Sequence, residues 1–479
     1  MSFKRTFFNN ISTFAVYNYM IQGTEFLSTI ILSRLLLPEE YGLVAIIYIF
    51  AGFIRLFANL GIGVAVVRSN YRYTYHKHLF SLAIWLGFTL SITLSLLSYP
   101  IAIFFNNMAL ILPTIVISFK FIFDSFTIIP FAILSKELNF KAIGKIRFSG
   151  TVIQIVFMII FAFLGFSYWS LIIPVIFNPI VQYFLLRKKV TLPLKIYGWQ
   201  ATRRMINKIR SLMGNLSLNN LVRYWSSHAD KVVIGRLYMQ ADLGLYNRAF
   251  RFLRLTNQLV TGIFSSVLFP SLKKLIEEKG DANSEFLDII KFITLFNLPI
   301  VAILVVIPET LVKILWGPDW IGVAPYLPYV AIVIVYNSMI STMSSVFLLY
   351  GKERNLLLIN LSNSLLTISL VIIGGIFSIM HILRFLTLGH ILFIIPINIY
   401  FGFYRSFNFK PKKILRFWIP CLSFGMLLFL SIYYNWNQVK WIVLLVYFAF
   451  LLYELKSSVI GSLKYLKTKL PGRTHYRSS

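Results

Sequence analysis

Acidic side chains are what this chain most lacks. Asp and Glu number 16 in 479 residues against 46 Lys and Arg, giving a formal charge of +30 and a pI near 10.1. Charge of either sign is scarce, at 13% of residues, where an average soluble protein carries about 25%. Cysteine occurs once, as Cys421, which excludes an intramolecular disulfide and any cysteine metal site. Polar stretches long enough for a sizeable soluble domain are missing as well. Their place is taken by apolar residues, 58% of the chain, with a mean hydropathy of +0.76. The bilayer is therefore the expected solvent, and at about 20 residues per crossing the apolar content suffices for about fourteen spans.

A surplus of +30 on a soluble chain would suggest nucleic acid, but here the basic residues sit in short clusters between long apolar runs. That is the pattern by which cytoplasmic Lys and Arg fix topology, and it excludes a nucleic-acid partner. Lys4 and Arg5 before an apolar stretch imitate a signal peptide. No small-residue cleavage site follows, and the apolar stretch continues to about Leu37, so a retained first span is expected.

Apolar runs fall near 10–36, 42–67, 79–105, 109–134, 146–166, 168–186, 211–236, 243–269, 286–307, 322–350, 355–378, 382–403, 414–433 and 440–458. They are too long for barrel strands, and a span without water must pair its backbone internally. The fold class predicted is all-α, a polytopic membrane protein of about fourteen helices. Counted at alternate connections, Lys and Arg divide 34 to 5, the minority being Arg34, Arg236, Lys313, Arg384 and Lys440. The majority side includes both termini and is expected to be cytoplasmic. A basic connection at 187–210, broken by Pro193 and Gly198, separates two groups of six spans and reads most simply as an orienting, headgroup-binding linker. The expected organisation is an N-terminal lobe at 1–205, a second lobe at 206–404, and two further spans with a basic tail at 405–479.

The two lobes repeat. At a constant offset of 202, Asn18 matches Asn220, Arg34 matches Arg236, Leu35 matches Leu237, Gly42 matches Gly244 and Leu43 matches Leu245, while Glu40 meets Asp242. Internal duplication is common in transporters. With an even number of spans in each half, the repeat is parallel.

Ionisable residues within a span cost about 2.5–3.5 kcal/mol each on insertion scales and usually face a cavity or a partner. Span 1 carries Asn18, Gln22, Glu25 and Thr29 on one helical face; span 2 carries Tyr48, Gly52, Arg55 and Asn59; span 7 carries Asn219, Arg223, Ser226 and Asp230, with Lys231 beside them. Span 8 has Arg248, Arg251 and Arg254 at three-residue steps. Since spans 1, 2, 7 and 8 open the two halves, these faces are expected to line one wet cavity. Six cations there, Arg55, Arg223, Lys231, Arg248, Arg251 and Arg254, oppose Glu25 and Asp230, which suits an anion; the planar fork of arginine suits phosphate. Asn18, Gln22 and Asn59 complete the candidate substrate-binding set. Glu25 and Asp230 can be read as ion-coupling sites, substrate contacts or counter-charges. Lys120 and Asp124, four apart and opposite in sign, are expected to neutralise each other, and Arg34 and Arg236 to snorkel to headgroups.

No Gly-rich phosphate loop, paired-Asp motif or histidine pair at metal spacing is present, and no catalytic residues, metal site or cofactor are expected. Six plus six plus two spans, LSRLLLPEEYGLVA at the exit of span 1 and the following GIGVAVVRS resemble the polysaccharide-exporter branch of the multidrug/oligosaccharidyl-lipid/polysaccharide exporter superfamily, the Wzx-like flippases. The resemblance implies a V-shaped pair of lobes with helices 1, 2, 7 and 8 lining the cavity, and a groove at helices 13 and 14 for a lipid tail. It further implies alternating-access export of oligosaccharide on an undecaprenyl diphosphate carrier across the bacterial cytoplasmic membrane. A polysaccharide polymerase and glycosyltransferases would be partners, with H+ or Na+ as coupling ion. The competing readings are a small-molecule cation antiporter of the same superfamily, which would want an acidic cavity, and a membrane glycan polymerase or ligase, which would want a large external loop.

Overall fold

The computed structural model describes residues 3–58, 62–68, 73–190, 197–198, 221, 224–258, 272, 277, 282–407, 409 and 411–469. Among them the secondary structure is helical throughout. In chain order the helices are α1 (Phe3–Ser33), α2 (Pro38–Ala58), α3 (Ile62–Arg68), α4 (Tyr73–Phe104), α5 (Ile111–Lys136), α6 (Phe140–Phe163), α7 (Trp169–Arg187), α8 (Ala229–Leu237) and α9 (Gln240–Thr256). There follow α10 (Ala282–Val306), α11 (Pro308–Leu315), α12 (Leu327–Ser341), α13 (Met343–Leu349), α14 (Glu353–Phe377), α15 (Ile379–Gly389), α16 (Pro411–Tyr433) and α17 (Asn437–Lys469). Eleven helical stretches among the described residues are long and apolar enough to cross a membrane. The expected spans at 211–236 and 243–269 lie partly outside the described residues, at 211–220, 222–223 and 259–269.

Helix ends follow local chemistry. Asn139 and Ser378 precede α6 and α15, and each side-chain oxygen accepts from a backbone N–H of the first turn, Ala142 and His381 respectively, satisfying donors the helix cannot. Asn106, Leu138, Ser167 and Asn435 take left-handed φ values of 50–57° just beyond α4, α5, α6 and α16, which turns the chain back within a few residues. After α15 the chain continues in wide π turns to Ser406, where the Ser406 hydroxyl donates to the Phe401 carbonyl five residues back.

Two compact units emerge. The first comprises Met1–Asn247 with Lys313–Ile321. In it α4 packs on α5, α5 and α6 on α7, and α1 on α6. Ile62, Val66, Phe80, Ala83 and Ile129 form one dry cluster. Hydroxyls tie helices where lipid gives no hydrophobic drive: Ser118 Oγ lies 3.1 Å from Ser91 Oγ and 2.8 Å from Ser95 Oγ. The segment 313–321 is anchored by Trp320, fully buried, whose Nε1–H donates to the Ser33 carbonyl at 2.7 Å and whose ring meets Tyr41 edge-on.

The second unit comprises Arg248–Val312 and Gly322–Ser479. Here α10 packs against α12 and α17, α14 against α15, and α16 against α17. Tyr336 donates to the Cys421 carbonyl at 3.0 Å, and Tyr447 donates to the Cys421 thiol at 3.3 Å. A buried charge network joins α10, α16 and α17: Lys291 Nζ lies 3.1 Å from Asp288 and 3.3 Å from Glu454, and Arg416 lies 3.1 Å from the other Glu454 oxygen. The sequence placed Lys291 and Arg416 among connection cations; the structure puts Lys291 inside α10 with its side chain only 10% exposed.

The members of this network differ in what their removal would leave behind. Removing one member of a buried pair strands the other and costs about 3–5 kcal/mol, whereas an exposed pair is worth about 0–1 kcal/mol. Because the Glu454 side chain is 9% exposed and that of Arg416 is 65% exposed, Glu454→Ala is expected to lower the melting temperature of the detergent-purified protein by several degrees. Arg416→Ala should change it little. Equal effects in thermal unfolding would show that the network is not buried.

Candidate functional site

The repeat read from the sequence has a physical counterpart in the first unit. Gly42 lies in the second turn of α2 and Gly244 in the second turn of α9. A Cβ on Gly42 would overlap the Gln240 carbonyl, and a Cβ on Gly244 would overlap the Pro38 carbonyl and sit 3.2 Å from the Gly42 amide nitrogen. Pro38 and Gln240 are themselves 202 apart. The contact is thus reciprocal, as a two-fold interface is, and it brings two backbones together where any side chain would hold them apart. The paired arginines lie beside this crossing. Arg34 Nη2 donates to the Ile314 carbonyl at 2.8 Å, and the Arg236 guanidinium lies over Phe104 at 5.8 Å. Both arginines remain exposed, as snorkelling requires, yet each also fastens a helix end to a neighbouring segment.

The polar face of α1 is graded. Asn18 and Gln22 are half-buried, Glu25 is exposed, and Thr29 is buried with its hydroxyl satisfied by the Phe26 carbonyl. Gln22 Oε1 is shielded and has no hydrogen-bond partner among the described residues, a costly state for an amide. On α2 the expected stripe divides. Tyr48 donates to the Leu171 carbonyl of α7 at 2.9 Å, and Gly52 gives room to Tyr224, which donates to the Ile49 carbonyl. Phe53 lies 5.0 Å from Trp225, so one flank of α2 is an aromatic seam with the segment before α8. Arg55 is exposed.

The field of Arg55 reaches Lys120 on α5 and Arg147 on α6. Lys120 Nζ contacts both Asp124 oxygens at 2.7 Å, the pairing its spacing predicted. Arg147 lies over Phe131 at 5.1 Å. The first unit therefore sets Lys120 and Arg147 within the electrostatic reach of Arg55, and of the three cations Lys120 is the one paired with Asp124. The sequence counted Arg147 among the connection cations, although α6 begins seven residues earlier, while its reading of Lys120 as neutralised by Asp124 is what the structure shows.

Asp230 is committed. Its Oδ1 accepts from the Lys231 amide at 2.8 Å and its Oδ2 from the Tyr246 hydroxyl at 2.9 Å, which ties α8 to α9. Lys231 is buried beside it. In the second unit Arg248, Arg251 and Arg254 pass from buried through half-buried to exposed along α9. Steps of three fall short of the 3.6-residue turn, so each successive arginine is rotated about 60° around the axis. Arg223 and Asn59 lie outside the described residues. No group of three or more His, Cys, Asp or Glu side chains that could hold a metal ion occurs among the described residues.

Comparison with known proteins gives concordant results. Residues 31–325 match the family model described as polysaccharide biosynthesis protein. The chain is 21% identical over 374 residues to the lipopolysaccharide biosynthesis protein WzxC of Escherichia coli (strain K12), covering 75% of this chain and 73% of that one. It is 22% identical over 374 residues to the teichuronic acid biosynthesis protein TuaB of Bacillus subtilis (strain 168), covering 75% and 76%. Its fold is similar to that of the lipid II flippase MurJ in an inward closed conformation, with a TM-score of 0.67 at 14% identity over 93% of this chain and 99% of that one.

The reciprocal glycine crossing makes a quantitative demand. Overpacking a tight contact costs about 1–3 kcal/mol, so Gly42→Ala and Gly244→Ala should each destabilise the purified protein by that order. Since both push apart the same two backbones, the double variant should fall short of the sum by at least about 0.5 kcal/mol. Strict additivity in denaturation would show two independent sites.

Proposed function

Because this chain belongs to the polysaccharide biosynthesis protein family, we propose that it is a flippase carrying a lipid-linked oligosaccharide across the bacterial cytoplasmic membrane, for export of a cell-surface polysaccharide. The observation that carries this reading is the cation excess on three helices of the first unit: Arg55 on α2, Lys120 on α5 and Arg147 over Phe131 on α6, with Asp124 paired to Lys120. Such an excess in a low-dielectric setting attracts a polyanion such as a diphosphate and repels the organic cations that an antiporter would take. Chemistry on the glycan itself is left to other proteins: polymerase and glycosyltransferases are proposed as partners, and this chain is the transporter.

The steps follow from the side chains. The diphosphate of an undecaprenyl carrier docks on arginine forks, Arg55 with Arg223, Arg251 and Arg254 as further donors, while the polyprenyl tail stays in lipid. Asn18, Gln22 and Asn59 offer amides to sugar hydroxyls, and the unsatisfied Gln22 Oε1 would gain a donor there. Lys231 and Arg248, both buried, hold the local potential positive. Access to the two sides of the membrane then alternates. Both termini are cytoplasmic in this reading, on the strength of the basic connections.

An ion gradient supplies the direction, H+ or Na+. Of the two candidate carboxylates, Glu25 suits the role better, since it is exposed on α1 whereas both Asp230 oxygens are held by hydrogen bonds.

Arg55→Ala, Arg223→Ala and Arg254→Ala are expected to reduce glycan export at least tenfold while the protein still inserts, with carrier-linked saccharide accumulating at the inner face. Unimpaired export in all three variants removes arginine docking. Glu25→Gln should abolish gradient-dependent flipping in proteoliposomes while leaving Asp230→Asn closer to wild type; undiminished flipping after every gradient is collapsed counts against coupling.

A further inference from the structure

The second unit holds a cavity that none of the above employs. It has a volume of about 730 Å³ and lies where α10 ends, α15 begins and α16 turns into α17. This is the opposite end of the unit from the Lys291–Glu454–Arg416 network: Trp441 and Glu454 are 13 residues apart on α17, about 20 Å at 1.5 Å per residue. Its lining joins cations, a carboxylate, amides and aromatic faces: Arg384, Lys440, Glu309, Asn437, Tyr433 and Trp441.

Arg384 is held ready. Its Nε lies 3.5 Å from the Tyr329 hydroxyl and its Cζ sits 4.8 Å from the centre of the Tyr433 ring. Among the described residues no carboxylate pairs with it. Stacking and one donor fix the plane of the guanidinium, and the Nη edge keeps its hydrogen-bonding capacity for an anion that would meet it in two parallel bonds. Lys440 is turned onto Asn437 Oδ1 at 3.0 Å and adds a second positive charge to the cavity.

The remaining lining decides what kind of anion. Trp441 offers a flat apolar face suited to the C–H face of a pyranose, while the Tyr433 ring is taken up in holding Arg384. Asn437 can donate to and accept from hydroxyls and Glu309 can accept from them, and a carboxylate in the wall opposes a phosphate dianion more than a monoanion. A volume of about 730 Å³ falls within the usual range for small-ligand sites. We infer that this cavity is a saccharide subsite for a carboxylated sugar, with Arg384, held against Tyr433, gripping the carboxylate and Trp441 bracing the ring. The inference rests on the flippase reading, in which this end of the unit faces outside and receives the glycan as it leaves.

The test uses the full-length protein in nanodiscs of neutral phosphatidylcholine, titrated calorimetrically with a glucuronic-acid-terminated disaccharide. Two further titrants are its neutral glucose counterpart and short-chain phosphatidylglycerol. Saturable binding of the acidic disaccharide is expected, at least tenfold tighter than that of the other two. Arg384→Gln should weaken it at least tenfold and Trp441→Ala at least threefold, while Lys352→Gln, which removes a charge elsewhere in the unit, should leave it unchanged. No binding, equal binding of the neutral sugar, preference for phosphatidylglycerol, or equal loss in Lys352→Gln each overturns the subsite. Trp441→Ala keeps the test alive should Arg384→Gln fail to fold. Export measured in parallel separates the two readings: loss of export in Arg55→Ala with no disaccharide binding by the wild type leaves the flippase and removes the subsite. Binding as expected with normal export in every arginine variant does the reverse.

Discussion

Two backbones touching at Gly42 and Gly244 are the constraint around which the first unit is organised. A glycine on one helix opposite a carbonyl on the other permits an approach that even an alanine would prevent, and in a bilayer such approaches replace the hydrophobic drive that lipid cannot supply. The reciprocity matters as much as the closeness. Pro38 opposite Gly244 and Gln240 opposite Gly42 can occur together only if the two helix starts are related by a local two-fold axis. The flanking residues then become intelligible: Arg34 and Arg236 fasten the ends of the helices that lead into the crossing, and Trp320 and Tyr41 wedge the segment 313–321 beside it.

Away from the crossing, the distribution of carboxylates decides which cations are structural. Where a carboxylate is within reach it is fully engaged: Asp124 with Lys120, Glu454 with Lys291 and Arg416, Asp230 with Tyr246 and its own helix start. With 16 acids for 46 bases, many cations must find other partners. Some rest on carbonyls and rings, as Arg34, Arg147 and Arg384 do. Such contacts orient a guanidinium without neutralising it, so its field stays available to an anion that arrives later. Scarcity of acid, the first feature of the sequence, thereby becomes the electrostatic character of the fold.

Much of this was legible before the structure. Apolar length fixed the helices to within a few residues: α4 ends at Phe104 and α16 at Tyr433, against run ends at 105 and 433. The offset of 202 singled out Gly42, Gly244, Arg34 and Arg236, because positions required by a symmetric contact leave a trace at fixed spacing. Partners far apart in sequence leave none. Nothing in the chain announces that Lys291 meets Glu454, that Arg147 approaches Arg55, or that Arg384 stacks on Tyr433, since each pair is brought together by tertiary packing. The polar stripe of α2 misled in part for a related reason. A Gly and a Tyr in register with an Arg suggest one wet face, but Gly52 turned out to make room for Tyr224 and Tyr48 to reach α7.

The repeat also separates scaffold from site. At the offset of 202, Arg34, Leu35, Gly42 and Leu43 meet identical residues, and all four lie at or beside the helix crossing. Among the candidate binding positions Asn18 also meets its like, Asn220, but the others meet something else: Gln22 corresponds to Tyr224, Glu25 to Ser227 and Arg55 to Asn257, while Lys231 answers to Thr29 and Arg254 to Gly52. A contact between two equivalent helices needs the same residue on both sides, because each side is the other's partner. A ligand with a diphosphate at one end and sugars at the other has no such symmetry, and a chamber lined identically by both repeats would hold it in two opposed orientations equally well. In the sequence Arg55 of the first repeat answers to Asn257 and Arg254 of the second to Gly52, so the two repeats do not offer such a ligand the same side chains. Identity retained where the two helices touch, with different residues at most of the candidate binding positions, is the pattern expected of a duplicated fold that carries an asymmetric, anionic substrate.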